Sequence, residues 1–327
     1  MIRVEGTNVL NEYVCDRFAA YHADTIDVAR AMPDRSVDFS VYSPPFGSLY
    51  TYSNSPRDIG NVRNDDEFFR HVDFLIAEQR RVMKPGRLIA QHVMQLPTSK
   101  ERDGFVGIRD FRGAIIRAYE RHGFIYHSEI CCWKNPVTAM QRTKALGLLH
   151  KTIRKDSAMS RQGIADHIVV MRAPGGNNDP IAHTHETFPV EMWQRYASPV
   201  WVTTDGVDDE GFEIPVDARG DDTTGDGSIN YTNTLQYRSA REHEDERHIA
   251  PLQLGIIKRC LRLWTNPNDV VWSPFMGIGS EGVAALEMGR RFCGAELKAS
   301  YYSAAVANLK AARDGGPQAA LFAEVGS

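Results

Sequence analysis

Apolar positions along this chain follow two alternating periods. Residues 21–42 read as strand, helix, strand. Tyr21-His22-Ala23 is a short strand stopping at Asp24, Thr25 is placed to cap a helix running to about Met32, and Pro33-Asp34 breaks that helix. Val37–Tyr42 is β-rich and largely apolar, as a buried parallel strand should be. It stops at Ser43-Pro44-Pro45-Phe46, because two successive prolines supply no N–H to a sheet ladder. Phe68, Phe69, Val72, Leu75, Ile76 and Val82 give residues 66–83 one apolar helical face, closed by Lys84-Pro85-Gly86. Residues 87–93 form the next strand, Asp110 caps a helix to His122 with Gly123 as its stop, and strands follow over 124–133 and 167–171.

The pattern resumes at Pro251 with a helix to Trp264, a strand over 269–272 and a turn at Gly277-Ile278-Gly279. A helix over 280–288, a strand over 292–295 ending at Glu296, and a helix over 300–313 complete it. Alternation of this kind predicts an α/β fold, with a doubly wound, mostly parallel, Rossmann-like sheet.

Length and charge refine this picture. At 327 residues the chain exceeds the usual single-core size, so one large domain with an insertion, or two domains, is expected. The 42% hydrophobic and 24% charged content excludes a mainly disordered or fibrous chain. No apolar run approaches the ~18 residues of a membrane helix, and residues 1–16 lack the apolar core of a secretory signal. The 5 cysteines include no C-x-x-C pair, which argues against a zinc ribbon or a disulfide framework and for a reduced, cytoplasmic protein. His183 and His185 lack further ligands at suitable spacing, so no metal is expected.

A net charge of -4 excludes a globally basic nucleic-acid binder, but the charge is uneven. Residues 174–247, rich in Gly, Asp, Thr and Asn, hold 16 Asp plus Glu against 5 Arg and no Lys. Just before them, residues 140–161 carry Arg142, Lys144, Lys151, Arg154, Lys155 and Arg161 against a single acid, Asp156. The middle region is expected to be an insertion built on loops.

Two stretches carry chemistry. Ser273-Pro274-Phe275-Met276-Gly277-Ile278-Gly279-Ser280 follows a strand and opens a helix, and its glycines permit a tight turn and close backbone approach to a ligand. Glu296, one strand later, is placed to accept both hydroxyls of a ribose; the unit is a nucleoside-binding design, and the loop alone does not exclude a dinucleotide. In Ser43-Pro44-Pro45-Phe46 the prolines leave carbonyls without a local partner. The Ser43 hydroxyl and the Pro44 carbonyl can accept hydrogen bonds from an exocyclic amino group, while Phe46 offers a face to a planar base.

With both motifs in hand, the chain resembles the S-adenosylmethionine-dependent DNA methyltransferases that modify an exocyclic amino group. The tetrad precedes the glycine loop, the permuted order of that family's beta group. Trp133-Lys134-Asn135-Pro136 resembles the family's post-catalytic hairpin, and Tyr301 and Tyr302 fall in its closing helix. The resemblance implies Ser43, Pro44, Pro45 and Phe46 as catalytic residues. It implies Asp24, His248, Pro251, Phe275, Gly277, Gly279, Ser280 and Glu296 as the S-adenosyl-L-methionine site. It divides the chain into a catalytic half (1–139), a target-recognition region (140–247, including a returning core strand near 167–171), a cofactor half (248–313) and a mobile tail (314–327).

The expected reaction is direct methyl transfer to a flipped base within DNA modification of the restriction–modification kind, bacterial or phage-borne. Ser and Phe in the tetrad resemble the N4-cytosine subset, which places cytosine N4 ahead of adenine N6. Ser273 departs from the family, which usually has an acid there, so an inactive DNA-binding homologue stays in view. So does methylation of an RNA base or a protein amide. The expected partner is double-stranded DNA, contacted at phosphates by the basic segment Arg142 to Arg161. A second copy of the chain is a further candidate. Gln318-Ala319-Ala320-Leu321-Phe322 resembles a bacterial sliding-clamp-binding peptide, although a mobile tail is the plainer reading.

Overall fold

The structure, a computed structural model, describes residues 1–5, 8–45, 65–137, 140, 146–204, 228–235 and 251–315. In chain order the strands are β1 (Val9–Val14), β2 (Phe18–Ala23), β3 (Val37–Tyr42), β4 (Met83–Met94), β5 (Leu96–Pro97), β6 (Ile108–Arg109), β7 (Ile125–Trp133), β8 (Asp166–Arg172), β9 (Val200–Thr204), β10 (Ile229–Asn230), β11 (Val270–Ser273) and β12 (Arg291–Glu296). Apart from the small β5-β6 pair they form one sheet in the order β1-β2-β12-β11-β3-β4-β8-β7-β9-β10. From β2 to β4 every neighbour pair is parallel. β1 runs antiparallel on β2, and β8 runs antiparallel between β4 and β7.

Helices cover both faces, which is why the central strands are apolar on both sides. On one face the helices Asp65–Val82 and Phe111–Arg121 bring Phe68, Leu75, Ile76 and Ile115 against Tyr21, Ile89 and Trp272. On the other, Leu254–Trp264, Ser280–Glu287 and Ala299–Arg313 bring Ile257, Leu261, Val283 and Leu309 against Phe39, Val271 and Phe292. Adjacent residues of β11, Val271 and Trp272, enter opposite layers, as a period of two requires.

The doubly wound, mostly parallel fold is therefore as expected, with three differences. The cap of the first helix, Thr25–Ala31, is Asp24, whose carboxylate accepts from the Ile26 N–H at 2.8 Å; Thr25 is already helical. β1 is an edge strand of intermediate and exposed residues, so it shows no apolar alternation. The middle region is more than loops. It holds the helix Val190–Tyr196, and β9 and β10 extend the central sheet beside β7. In β9 only Trp201 and Thr203 turn inward, an alternation too short to stand out from an acidic, glycine-rich context.

At the amino ends of β3 and β11, Arg87 Nη2 lies 3.0 Å from Asp38, 2.9 Å from Asp269 and 3.5 Å from Asp179, and Lys84 pairs with Asp38 at 2.5 Å. These three acids converge closely enough to hold a cation, and the cation there is the guanidinium. The network ties three strands together at the end opposite the tetrad.

Candidate active site

The sheet order brings the two motifs together. β3 and β11 are neighbours, paired at Val271–Phe39 and Trp272–Ser40, and the Ser40 hydroxyl donates to the Trp272 carbonyl at 2.8 Å. The chain therefore leaves both strands at the same, carboxyl-terminal edge, where open α/β sheets bind ligands. Tyr42, just before Ser43, packs against Phe275 of the glycine stretch with ring centroids 5.7 Å apart. Tyr42 is itself fixed from behind. Its hydroxyl lies 2.6 Å from that of Tyr119, and both join Gln79 in a buried network. Burial pushes the Tyr42 phenol up to about 12, so it stays protonated and works as a strut.

The glycine loop is held by its own neighbourhood. Gly277 and Gly279 sit at φ +51° and +92°, the left-handed region that favours glycine. The Gly277 N–H donates to Glu296 Oε2 at 2.9 Å, and the Lys298 N–H to Oε1 at 2.8 Å, so one carboxylate ties the loop to the turn after β12. Asn308 Nδ2 holds the Ile278 carbonyl at 2.9 Å. A Cβ on Gly282 would lie 2.4 Å from Leu309 and 2.6 Å from Phe292, so the helix Ser280–Glu287 packs as closely as it does only because Gly282 has no side chain.

The residues fit a nucleoside-bearing cofactor. A Cβ on Gly277 would meet nothing within 4 Å, which leaves a backbone-lined space at the loop. The buried hydroxyls of Ser273 and Ser300 have no hydrogen-bond partner among the described residues. Glu296 pairs in register with His22, which places Asp24 and Glu296 on the same edge of adjacent strands. Ser280 is buried at the helix start, and Pro251 precedes Leu252, which shares a core layer with Met276 and Ile278.

On the tetrad side the Ser43 hydroxyl donates to the His92 carbonyl at 3.1 Å. The His92 ring Nε2 is 2.9 Å from Asp166 Oδ2, which also pairs with Lys134. His92 and Lys134 hold the buried Asp166 carboxyl well below the usual range, at about 2, against the burial that raises it. A carboxylate only accepts, so the His92 nitrogen facing it carries a proton. Sequence reading missed all three as site residues. Their signal is polarity near strand ends within otherwise apolar runs, and for Lys134 also its place in Trp133-Lys134-Asn135-Pro136.

Glu281, in the first turn after the loop, was missed as well. It is 4% exposed, and burial with the nearby Glu296 charge pushes its carboxyl up to about 8. Phe46, Arg142, Lys144, His248 and Gln318 to Phe322 lie outside the described residues. Lys151, Arg154 and Lys155 are exposed on the short helix His150–Lys155, part of the excursion from β7 to β8 that starts at Lys134 and returns at Asp166. Arg161 differs. It is half-buried against Gly147, and its backbone N–H donates to the Gly147 carbonyl at 3.0 Å, which fastens this excursion. The buried Cys132 and Cys260 thiols are pushed up by burial and stay protonated.

A fold wound this way, with a Ser-Pro-Pro motif and a glycine loop on one edge, defines a methyltransferase-like class. The family model described as DNA methylase, of the N6/N4 type, matches residues 37–307, and the chain belongs to that family. It is 24% identical over 283 residues to the Type II methyltransferase M.BglII of Bacillus subtilis, covering 86% of this chain but 66% of that protein. A DNA modification methylase from Thermus thermophilus, TTHA0409, solved complexed with S-adenosyl-L-methionine, superposes with a TM-score of 0.60 at 22% identity, covering 92% and 97% of the two chains. The PvuII DNA methyltransferase, described as cytosine-N4-specific, gives 0.58 at 14% identity, covering 91% and 89%.

Proposed function

We propose that this chain transfers a methyl group from S-adenosyl-L-methionine to the exocyclic amino group of a base flipped out of double-stranded DNA, with cytosine N4 the favoured target. The observation carrying this is the pairing of β3 with β11, with Tyr42 packed on Phe275, which sets Ser43 beside the glycine loop. Family membership and the fit of the loop to a nucleoside support it.

When bound, the cofactor would supply a sulfonium-bound methyl for the amine to attack, the C–S bonding pair staying on the neutral thioether that leaves and the surplus amine proton passing to solvent. Gly277 and Gly279 would let the backbone approach the cofactor, Glu296 would accept from its ribose while still bracing the loop, and Asp24 would serve its adenine end. Ser273 offers a hydroxyl where the family usually has an acid, and the buried Ser300 hydroxyl offers a second. Ser43 and the Pro44 carbonyl accept hydrogen bonds from the target amine, which aims its lone pair and holds the reactants at attack distance. Phe46 stacks on the base, and Lys151, Arg154 and Lys155 meet phosphates of the duplex. No covalent enzyme intermediate is required.

The test is incubation with methyl-labelled cofactor and, separately, duplex DNA, RNA and protein, followed by digestion and mass identification of the product. N4-methylcytosine in DNA is the expected outcome. N6-methyladenine would change the base and keep the chemistry, whereas label only in RNA or protein would overturn the proposal.

A further inference from the structure

Ser43 raises a problem that a carboxylate in its place would not. An ionised acid can only accept hydrogen bonds, but a hydroxyl carries one proton and two lone pairs and rotates freely. If Ser43 turned its proton toward the target amine, it would compete for the very lone pair that must attack. Something must hold the rotor.

The end of β4 provides the means. The β3–β4 ladder runs to Tyr42–Gln91, and Pro44 and Pro45 have no N–H with which to extend it. The His92 carbonyl instead accepts a hydrogen bond from the Ser43 hydroxyl at 3.1 Å. A hydroxyl committed in this way has only lone pairs left to offer. The His92 ring is in turn bound to Asp166 Oδ2 at 2.9 Å, and Asp166, 2% exposed, is paired with Lys134. β4, β8 and β7 are adjacent strands, with Met94 opposite Asp166 and Asp166 opposite Cys132. The three side chains thus lock together the strand ends beside the tetrad.

We propose that His92, Asp166 and Lys134 form a positioning relay that keeps the Ser43 hydroxyl turned so that it accepts from the target amine. The relay rests on the amino-methyltransferase reading of the site and adds to it a set of positioning residues. It gives this ion pair, buried on the Asp166 side, a role in orientation.

The experiment compares the full-length wild type with Asp166→Asn and Lys134→Met. It measures single-turnover methylation with labelled cofactor, equilibrium binding of cofactor and of duplex, and thermal melting. Asp166→Asn keeps the shape and removes the charge, and Lys134→Met, at a partly exposed position, guards against a variant that fails to fold. The expected result is a rate about tenfold lower in each, with both binding constants within about twofold of wild type. In a Ser43→Ala background, where no hydroxyl remains to orient, Asp166→Asn should cost less than about twofold.

Unchanged rates in both variants, or losses matched by equal losses in binding, would overturn the relay. An undiminished effect in the Ser43→Ala background would also overturn it. A wild type that methylates no amino group would instead refute the underlying activity, so the two failures are distinguishable.

Discussion

The glycine-loop half of the crevice comes from one unbroken stretch, β11 through β12, in which Glu296 reaches back 19 residues to the Gly277 N–H. The tetrad half is gathered from afar. Ser43 leans on His92, His92 on Asp166, and Asp166 on Lys134, each from a different strand or strand end. The first half is a local motif whose precision is short-range. The second takes its geometry from the order of strands in the sheet. Perturbing the first should therefore act on cofactor affinity and local stability, and perturbing the second on rate.

The largest effect tests the local half. Glu281 ionises near 4.5 when unfolded but holds its proton to about 8 when buried in the fold. Folding therefore favours the protonated form, and stability falls as pH rises from about 4.5 to about 8, then levels. This contribution is on the order of 5 kcal/mol. Denaturant unfolding across that range should show the slope, and Glu281→Gln should flatten it and raise stability at pH 8. A wild type with no such slope would show that Glu281 ionises in the fold as it does in the unfolded chain.

Next, Glu296→Ala frees the Gly277 and Lys298 N–H groups together. Losing charge-assisted bonds of about 1.5–3 kcal/mol should weaken cofactor binding roughly a hundredfold by calorimetry. A change under threefold would separate the loop from the cofactor. Gly282→Ala forces a methyl against Leu309 and Phe292. It should cost about 2 kcal/mol and lower the melting temperature, whereas an unchanged melt would mean that the packing relaxes freely.

The smallest effect concerns the periphery of the assembled half. Replacing Lys151, Arg154 and Lys155 together by alanine should weaken duplex binding and reduce the salt slope by about 2–3. A wild-type slope would show that phosphates are met elsewhere.

The same contrast explains which parts of the site were legible in the sequence. Residues 269–296 declared themselves because each contact in that unit lies within a few dozen residues, and glycine spacing has a mechanical meaning. The tetrad was legible because prolines ending an apolar strand are locally anomalous. His92, Asp166 and Lys134 were not, since no period links residues whose contact depends on β8 inserting antiparallel between β4 and β7. Glu281 was hidden by an ordinary position, the first turn of a helix, where an acid usually faces solvent. β9 was hidden by brevity: Trp201 and Thr203 turn inward between exposed valines, too few to establish alternation.

The central claim is that donor and acceptor occupy one cavity. A bisubstrate analogue, the cofactor's adenosyl moiety joined covalently to the N4 of deoxycytidine, tests it directly by titration calorimetry. It should bind at least about a hundredfold more tightly than the adenosyl fragment alone, with that gain lost in Ser43→Ala and the whole affinity reduced in Glu296→Ala. An analogue that binds no better than its adenosyl fragment, and is indifferent to Ser43, would contradict the claim.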